Sequence, residues 1–217
     1  GLVFISRLAT WGRWHTLLQV QDVHVRWQDS LRLTFAGLFA SNVLPTTIGG
    51  DVVRLAGAVR LGIGASLAAA SLVADRLVGM TGMALMLPFA VPSLSAYLRA
   101  GSEVGISHAA GAAGFFPTVY NKVKGAAARV FANFSYWLKH PLILAQALAY
   151  TFIHMLAIFL IVRILVEGMG ESIALPKIAG LWSLTYFISL IPISINGLGL
   201  QEVTITNLFS LLGGLQP

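Results

Sequence analysis

Cysteine is absent from the 217 residues, which excludes a disulfide-stapled secreted scaffold. Charge is nearly absent too: Asp, Glu, Lys and Arg make up 10% of the chain, against roughly 25% in an ordinary soluble domain. That is too little polar surface to cover a water-soluble globule of this size. Disorder is excluded for the opposite reason, because 57% of the residues are hydrophobic and the mean hydropathy is +0.81. Short alternating segments, the mark of a membrane β-barrel, are missing; the apolar runs are long and unbroken. The expectation is an all-α, polytopic transmembrane helix bundle.

At about 20 residues per crossing the length allows about seven spans. The uncharged stretches are Leu33–Gly50, Leu61–Ala74, Leu77–Leu98, Val104–Tyr120, Pro141–Val162, Ile178–Leu200 and Val203–Leu215. Leu77–Leu98, Pro141–Val162 and Ile178–Leu200 are long enough to span unaided. The Gly- and Ala-rich Val104–Tyr120 spans only if packed closely against other helices. Leu61–Ala74 and Val203–Leu215 are too short, and read as re-entrant, tilted or truncated. Residues Gly1–Ile5 read like the tail of a longer apolar run, so 1–217 is expected to be a single transmembrane domain that lacks helices at both ends.

The net charge of +6, from 14 Lys and Arg against 8 Asp and Glu, points to cytoplasmic loops and anionic lipid rather than nucleic acid. Arg7, Arg13, Arg26 and Arg32 form one basic cluster, and Lys122, Lys124, Arg129 and Lys139 a second. By the positive-inside rule both face the cytoplasm, with Arg54 and Arg60 as a further inside-facing candidate. The balanced segment of Arg163, Glu167, Glu171 and Lys177 lies outside. Trp11, Trp14 and Trp27 are expected as interfacial anchors around an amphipathic stretch, Gln19–Ser30. Leu33–Gly50 then starts and ends beside basic segments. It is either a re-entrant dip, broken by Asn42, Pro45, Gly49 and Gly50, or an ordinary Pro-kinked span.

Ionisable residues within apolar runs are candidates for function, because burying an unpaired charge is costly. If a helix starts near Gly50, Asp51 and Arg54 share one face of its first turn. That arrangement either cradles a phosphate, with Arg54 as bidentate partner, or simply caps the helix. Asp75-Arg76 interrupts the apolar stretch from Leu61 to Leu98. Adjacent residues on a helix point apart, so the two need separate partners; Asp51 with Arg76, or Asp75 with Arg54, would neutralise both. Alternatively they mark a headgroup-level boundary between two short helices. Glu202 follows a second broken segment containing Pro192, Gly197 and Gly199. Two Gly/Pro-interrupted apolar segments, one in each half, are the pattern of an inverted-repeat transporter. His154, with no acid beside it in sequence, reads as a hydrogen-bonded packing residue rather than a proton relay.

Enzyme signatures are mostly missing. There is no HExxH or other His/acid metal spacing, no serine-nucleophile elbow at Ser66, no Walker loop and no dinucleotide fingerprint. Asp51 and Asp75 are a conceivable aspartyl dyad, but Ile48-Gly49-Gly50-Asp51 lacks the first glycine of the intramembrane-protease motif. No cofactor is expected.

Three blocks together carry a resemblance: Asn42-x-x-Pro45…Gly49-Gly50-Asp51-x-x-Arg54, then Asp75-Arg76-Leu77-x-Gly79, then Pro192-x-Ser194-x-x-Gly197-Leu198-Gly199-x-x-Glu202. In order and separation the chain resembles the membrane region of lysylphosphatidylglycerol synthases and the related flippase-like integral membrane proteins. The resemblance runs over Asn42–Glu202, with two departures. Gln201 stands where the family has Arg, and Arg99–Tyr120 is unusually rich in Gly and Ala. The soluble aminoacyl-transferase domain is absent, so the resemblance implies lipid translocation rather than aminoacyl transfer. On this reading Asp51, Arg54, Asp75, Arg76, Glu202 and Asn42 bind the substrate, while Pro45, Gly49, Gly50, Pro192, Gly197 and Gly199 are structural or hinge positions. The arginines would take a headgroup phosphate, and the acids would balance them or hold an amine. The Gly49–Asp51 and Gly197–Gly199 segments would then be spatial neighbours. The partners implied are membrane lipids, anionic or zwitterionic, in the cell membrane, with homo-oligomerisation open. The alternatives are a membrane enzyme, or the partner of one, acting on a prenyl-phosphate or other lipid-linked substrate, and a purely structural membrane subunit.

Overall fold

Helices make up the whole of the regular structure among the described residues, and no strand occurs. The computed structural model describes residues 1–19, 23–43, 49–93, 95, 137, 139–189 and 200–211. Seven α-helices follow in order among the described residues: α1 Leu2–Leu18, α2 Trp27–Val43, α3 Gly49–Arg60, α4 Ala65–Met86, α5 Pro141–Gly168, α6 Leu175–Ser189 and α7 Leu200–Leu211. A 3₁₀ turn, Leu87–Ala90, prolongs α4. Among the described residues two helical segments, Ala65–Ser93 and Pro141–Gly168, are long and apolar enough to cross a membrane. The second, 28 residues long, reaches about 42 Å at 1.5 Å per residue, more than a hydrocarbon core of about 30 Å.

Local chemistry sets the ends of these helices. Pro141 opens α5 at a position whose N–H needs no partner. Both α3 and α5 close on a glycine at φ +86°, Gly62 and Gly170, a conformation that a residue without a Cβ adopts readily. Ile63 N–H donates to Ala58 O and Gly62 N–H to Val59 O; Glu171 N–H donates to Val166 O and Gly170 N–H to Glu167 O. These are two copies of one Schellman closure, and each satisfies carbonyls that the helix end leaves open.

Several polar residues are buried while many large apolar ones face outward. Ser6, Ser30, Thr34, Arg54, Ser71, Asp75, Thr151, Ser183 and Thr185 are buried, whereas Phe4, Phe39, Val43, Leu142, Ile153, Ile164 and Leu165 are exposed. Thr34, Thr151, Ser183 and Thr185 each donate to the carbonyl four residues earlier, so their hydroxyls are satisfied within their own helix. Two apolar clusters frame the interior. One joins Trp14, Leu17 and Leu18 of α1 to Ala58, Leu67 and Ala74 and to Trp137, whose indole donates to Leu17 O at 3.3 Å. The other joins Met83, Met155, Phe159, Ile178, Leu181 and Phe209.

The chain reverses between α2 and α3. Gly37 meets Gly50, and Leu33 meets Gly57, which makes the pair an antiparallel hairpin; its connection, 44–48, lies outside the described residues. A Cβ on Gly50 would stand 2.5 Å from the Gly37 carbonyl oxygen, and one on Gly37 2.9 Å from the Gly50 oxygen. Gly50→Ala is therefore expected to force the helices apart and to cost about 1–3 kcal/mol of stability. Thermal unfolding in detergent checks this; an unchanged midpoint would contradict the close approach.

Several sequence expectations are corrected. Leu61–Ala74 is not a separate short segment: α4 runs from Ala65 to Met86 straight through Asp75-Arg76. A charged pair does not break a helix when each side chain finds a partner on a different neighbour. The amphipathic stretch Gln19–Ser30 is not a single element. α1 ends at Leu18, residues 23–26 are not helical, and Trp27 opens α2, six residues ahead of the uncharged run at Leu33. Trp14 is no interfacial anchor, being fully buried, and Trp11 donates to Ser30 Oγ at 3.0 Å. Of the three segments expected to span unaided, Ile178–Leu200 is helical in α6 as far as Ser189, and its residues 190–199 lie outside the described residues. Val104–Tyr120, Pro45, Pro192, Gly197 and Gly199 lie outside the described residues, and with them the expected approach of Gly197–Gly199 to Gly49–Asp51.

Candidate functional site

Polar residues recur at helical spacing on the inner faces of several helices. On α1 they are Ser6, Thr10 and Arg13; on α2, Thr34 and Ser41 with Gly37 between them; on α5, Thr151 and His154. These faces, the first turn of α3, the Asp75–Gly79 stretch of α4 and Tyr186 of α6 enclose a cavity of ≈ 240 Å³. Met83 and Met155 of the second apolar cluster line it as well.

Five charges form a continuous ladder along this cavity. Arg13 Nε donates to Asp75 Oδ1 at 2.6 Å, and Nη1 and Nη2 of Arg54 both reach Asp75 Oδ2 at 3.3 Å. Arg54 Nη1 also reaches Asp51 Oδ1 at 3.3 Å, and Arg76 Nε donates to Asp51 Oδ2 at 2.7 Å. Both pairings that charge balance allowed, Asp51 with Arg76 and Asp75 with Arg54, therefore occur together. Arg54 is the hinge of the ladder. It is 8% exposed, its guanidinium lies 4.1 Å over the Trp14 ring, and its Nε has no hydrogen-bond partner among the described residues. Three arginines against two aspartates leave the lining with a net charge of one positive unit, 3 − 2. The N-terminus of α3, where Gly50 lines the cavity, adds partial positive charge.

Depth follows from helix geometry. Asp75 lies ten residues into α4 and Thr151 ten residues into α5, about 15 Å along each axis. The ladder thus sits inside both candidate spans, about a third of the way along each.

Of the expected binding residues, the structure brings together Asp51, Arg54, Asp75 and Arg76. Two are not brought in. Asn42 is exposed and donates to Leu38 O at 3.1 Å, closing its own helix turn. Glu202, the third residue of α7, is exposed and is not among the cavity's lining residues. Gly49 is buried at the start of α3. His154 is hydrogen-bonded, its Nδ1 2.8 Å from Ser6 Oγ, and it also lines the cavity.

Sequence reasoning missed Arg13. It pooled this residue with a cytoplasmic basic cluster, whereas the structure pairs it, largely shielded, with Asp75, its Nη1 3.3 Å from Thr151 Oγ1. A signal was present: Ser6, Thr10 and Arg13 fall at i, i+4 and i+7 on one stripe of an otherwise apolar helix.

A helical bundle with apolar residues outward and a guanidinium–carboxylate ladder inside is a membrane domain built around a polar cavity. The chain belongs to the lysylphosphatidylglycerol synthase TM region family, whose sequence model matches residues 1–217. No curated protein and no solved structure matches it.

Proposed function

We propose that this membrane domain translocates a phospholipid across the cell membrane, with the headgroup phosphate held at Arg13, Arg54 and Arg76. The observation that carries this reading is the cavity within the candidate spans, with three arginines against two aspartates. A cation-rich cavity at that depth favours an anion, because the charge excess is costly in hydrocarbon. Phosphate oxygens match the guanidinium fork and compete with Asp51 for Arg76, the half-exposed end of the ladder. Exchange of that pair between aspartate and phosphate gives the headgroup a way in and out.

An inverted repeat fits the same reading. α1–α2–α3 and α5–α6–α7 each run from a first helix through a second to a 12-residue helix with an acid in its first turn, Asp51 or Glu202. The enzyme reading is less well supported, since both aspartates are held by guanidinium groups rather than left open to act as a base.

The test is translocation of a fluorescent phospholipid in proteoliposomes, read by quenching from one side, with the lipid recovered chemically unchanged. Arg54→Gln leaves two one-to-one pairs, Asp75 with Arg13 and Asp51 with Arg76, and removes the excess charge. The variant is expected to insert and fold, yet lose about tenfold or more of the transport rate. Transport at the parent rate, or a modified lipid, would overturn the proposal.

A further inference from the structure

The cavity's polar lining is almost entirely occupied with itself. Thr10, Thr34, Ser41 and Thr151 each donate to the carbonyl four residues earlier, and His154 is bonded to Ser6. The arginines and aspartates are bonded to one another. Among the described residues, Tyr186 is the polar side chain of the lining that makes no hydrogen bond. It is also the only described residue that α6 brings to the cavity.

Length sets this side chain apart from its neighbours. Ser183, Thr185 and Ser189 of the same helix donate to carbonyls four residues back, which a short side chain reaches and a rigid phenol does not. The Tyr186 hydroxyl therefore needs a partner from outside its helix. Ser183, one turn earlier, has its Oγ 3.7 Å from Sδ of Met83, which lines the cavity. Tyr186, at i+3 from Ser183, is on the same face, and its ring packs against the second apolar cluster. The ring is thus already placed, with one donor unspent. In a lining with a positive excess, the partner that suits an O–H is the anion the arginines attract. A phenol adds a bond to that anion without adding charge.

We propose that Tyr186 is a fourth binding residue of this site. Its phenol O–H donates to a phosphate oxygen, so the bound ligand joins α6 to the arginines of α1, α3 and α4. The proposal rests on the reading that the cavity holds a headgroup phosphate, and it names the group that α6 supplies. That bond exists only with the ligand present, so the hydroxyl contributes to affinity and not to the stability of the ligand-free protein.

The experiment measures binding to the purified full chain in maltoside detergent, which carries no phosphate. The probes are a fluorescent phosphatidic acid and the diacylglycerol with the same chains, which differ only in the phosphate. The parent is expected to prefer phosphatidic acid. Tyr186→Phe, which keeps the ring, is expected to lose about tenfold in affinity for phosphatidic acid and nothing for diacylglycerol. Its unfolding midpoint without lipid is expected to equal the parent's. Parent-like binding of phosphatidic acid by Tyr186→Phe overturns the assignment. Equal losses with both probes overturn it too, since the ring's packing would then be at fault. A lowered midpoint does the same, because the hydroxyl would already have a protein partner.

The two readings fail separately. A parent that binds phosphatidic acid no better than diacylglycerol defeats the phosphate site and Tyr186 with it. A parent that prefers phosphatidic acid, with an unaffected Tyr186→Phe, defeats the Tyr186 assignment alone. Transport is read in proteoliposomes: the expected affinity loss in a protein that moves no lipid supports Tyr186 as a binding residue and defeats translocation.

Discussion

Replacing Asp75 by Asn is expected to cost about 3–5 kcal/mol, the largest stability loss of any single charge change in this chain. Asp75 is 4% exposed and serves two arginines, Arg13 and Arg54, from the middle of α4. The amide neither neutralises those guanidinium groups nor matches their donors, so two cations stay buried with only Asp51 beside them. Arg54→Gln is predicted to be far milder, because each aspartate keeps an arginine. The double variant Arg54→Gln/Asp75→Asn should therefore recover part of the Asp75→Asn loss, with a coupling of about 1–3 kcal/mol. Equilibrium unfolding in mixed detergent micelles reads all three. Additive effects, or an Asp75→Asn protein as stable as its parent, would show that the ladder does not hold the helices together.

The second large effect belongs to Trp14. Trp14→Ala is expected to cost about 3–5 kcal/mol, since it removes a fully buried aromatic from the first apolar cluster. It also removes the surface on which Arg54 lies at 4.1 Å and the indole donor to Ser71 Oγ at 3.3 Å. Trp14→Phe keeps an aromatic face but no donor, so most of the stability should return. Transport by Trp14→Phe should stay close to the parent while that of Trp14→Ala falls, because the residue acts by positioning Arg54. If Trp14→Phe transports as poorly as Trp14→Ala in a folded protein, the indole N–H rather than the ring face sets the position of Arg54.

The two residues show what could be read in advance. Asp75 stood out because an acid in a long apolar run demands a partner, and the shortage of bases narrowed the choice. Asp51, Arg54 and Arg76 were legible for the same reason, and the case of a helix starting near Gly50 matches α3. Trp14 was misread. A tryptophan near a basic cluster is ordinarily an interfacial anchor, and no local signal distinguishes that from one packed between helices.

Composition and run length alone determined that this chain is an all-helical membrane domain, because hydropathy and helix-length requirements act locally along the chain. The motif blocks alone determined the family. Only the tertiary structure decided which charges meet: that Arg13 joins Asp75, that α4 passes unbroken through Asp75-Arg76, and that Asn42 and Glu202 stay out of the cavity's lining. Periodicity tells which face of a helix is polar, but not which other helix that face will find. That choice rests on neutralising every buried charge at once, a condition on the whole assembly of helices that no single segment contains.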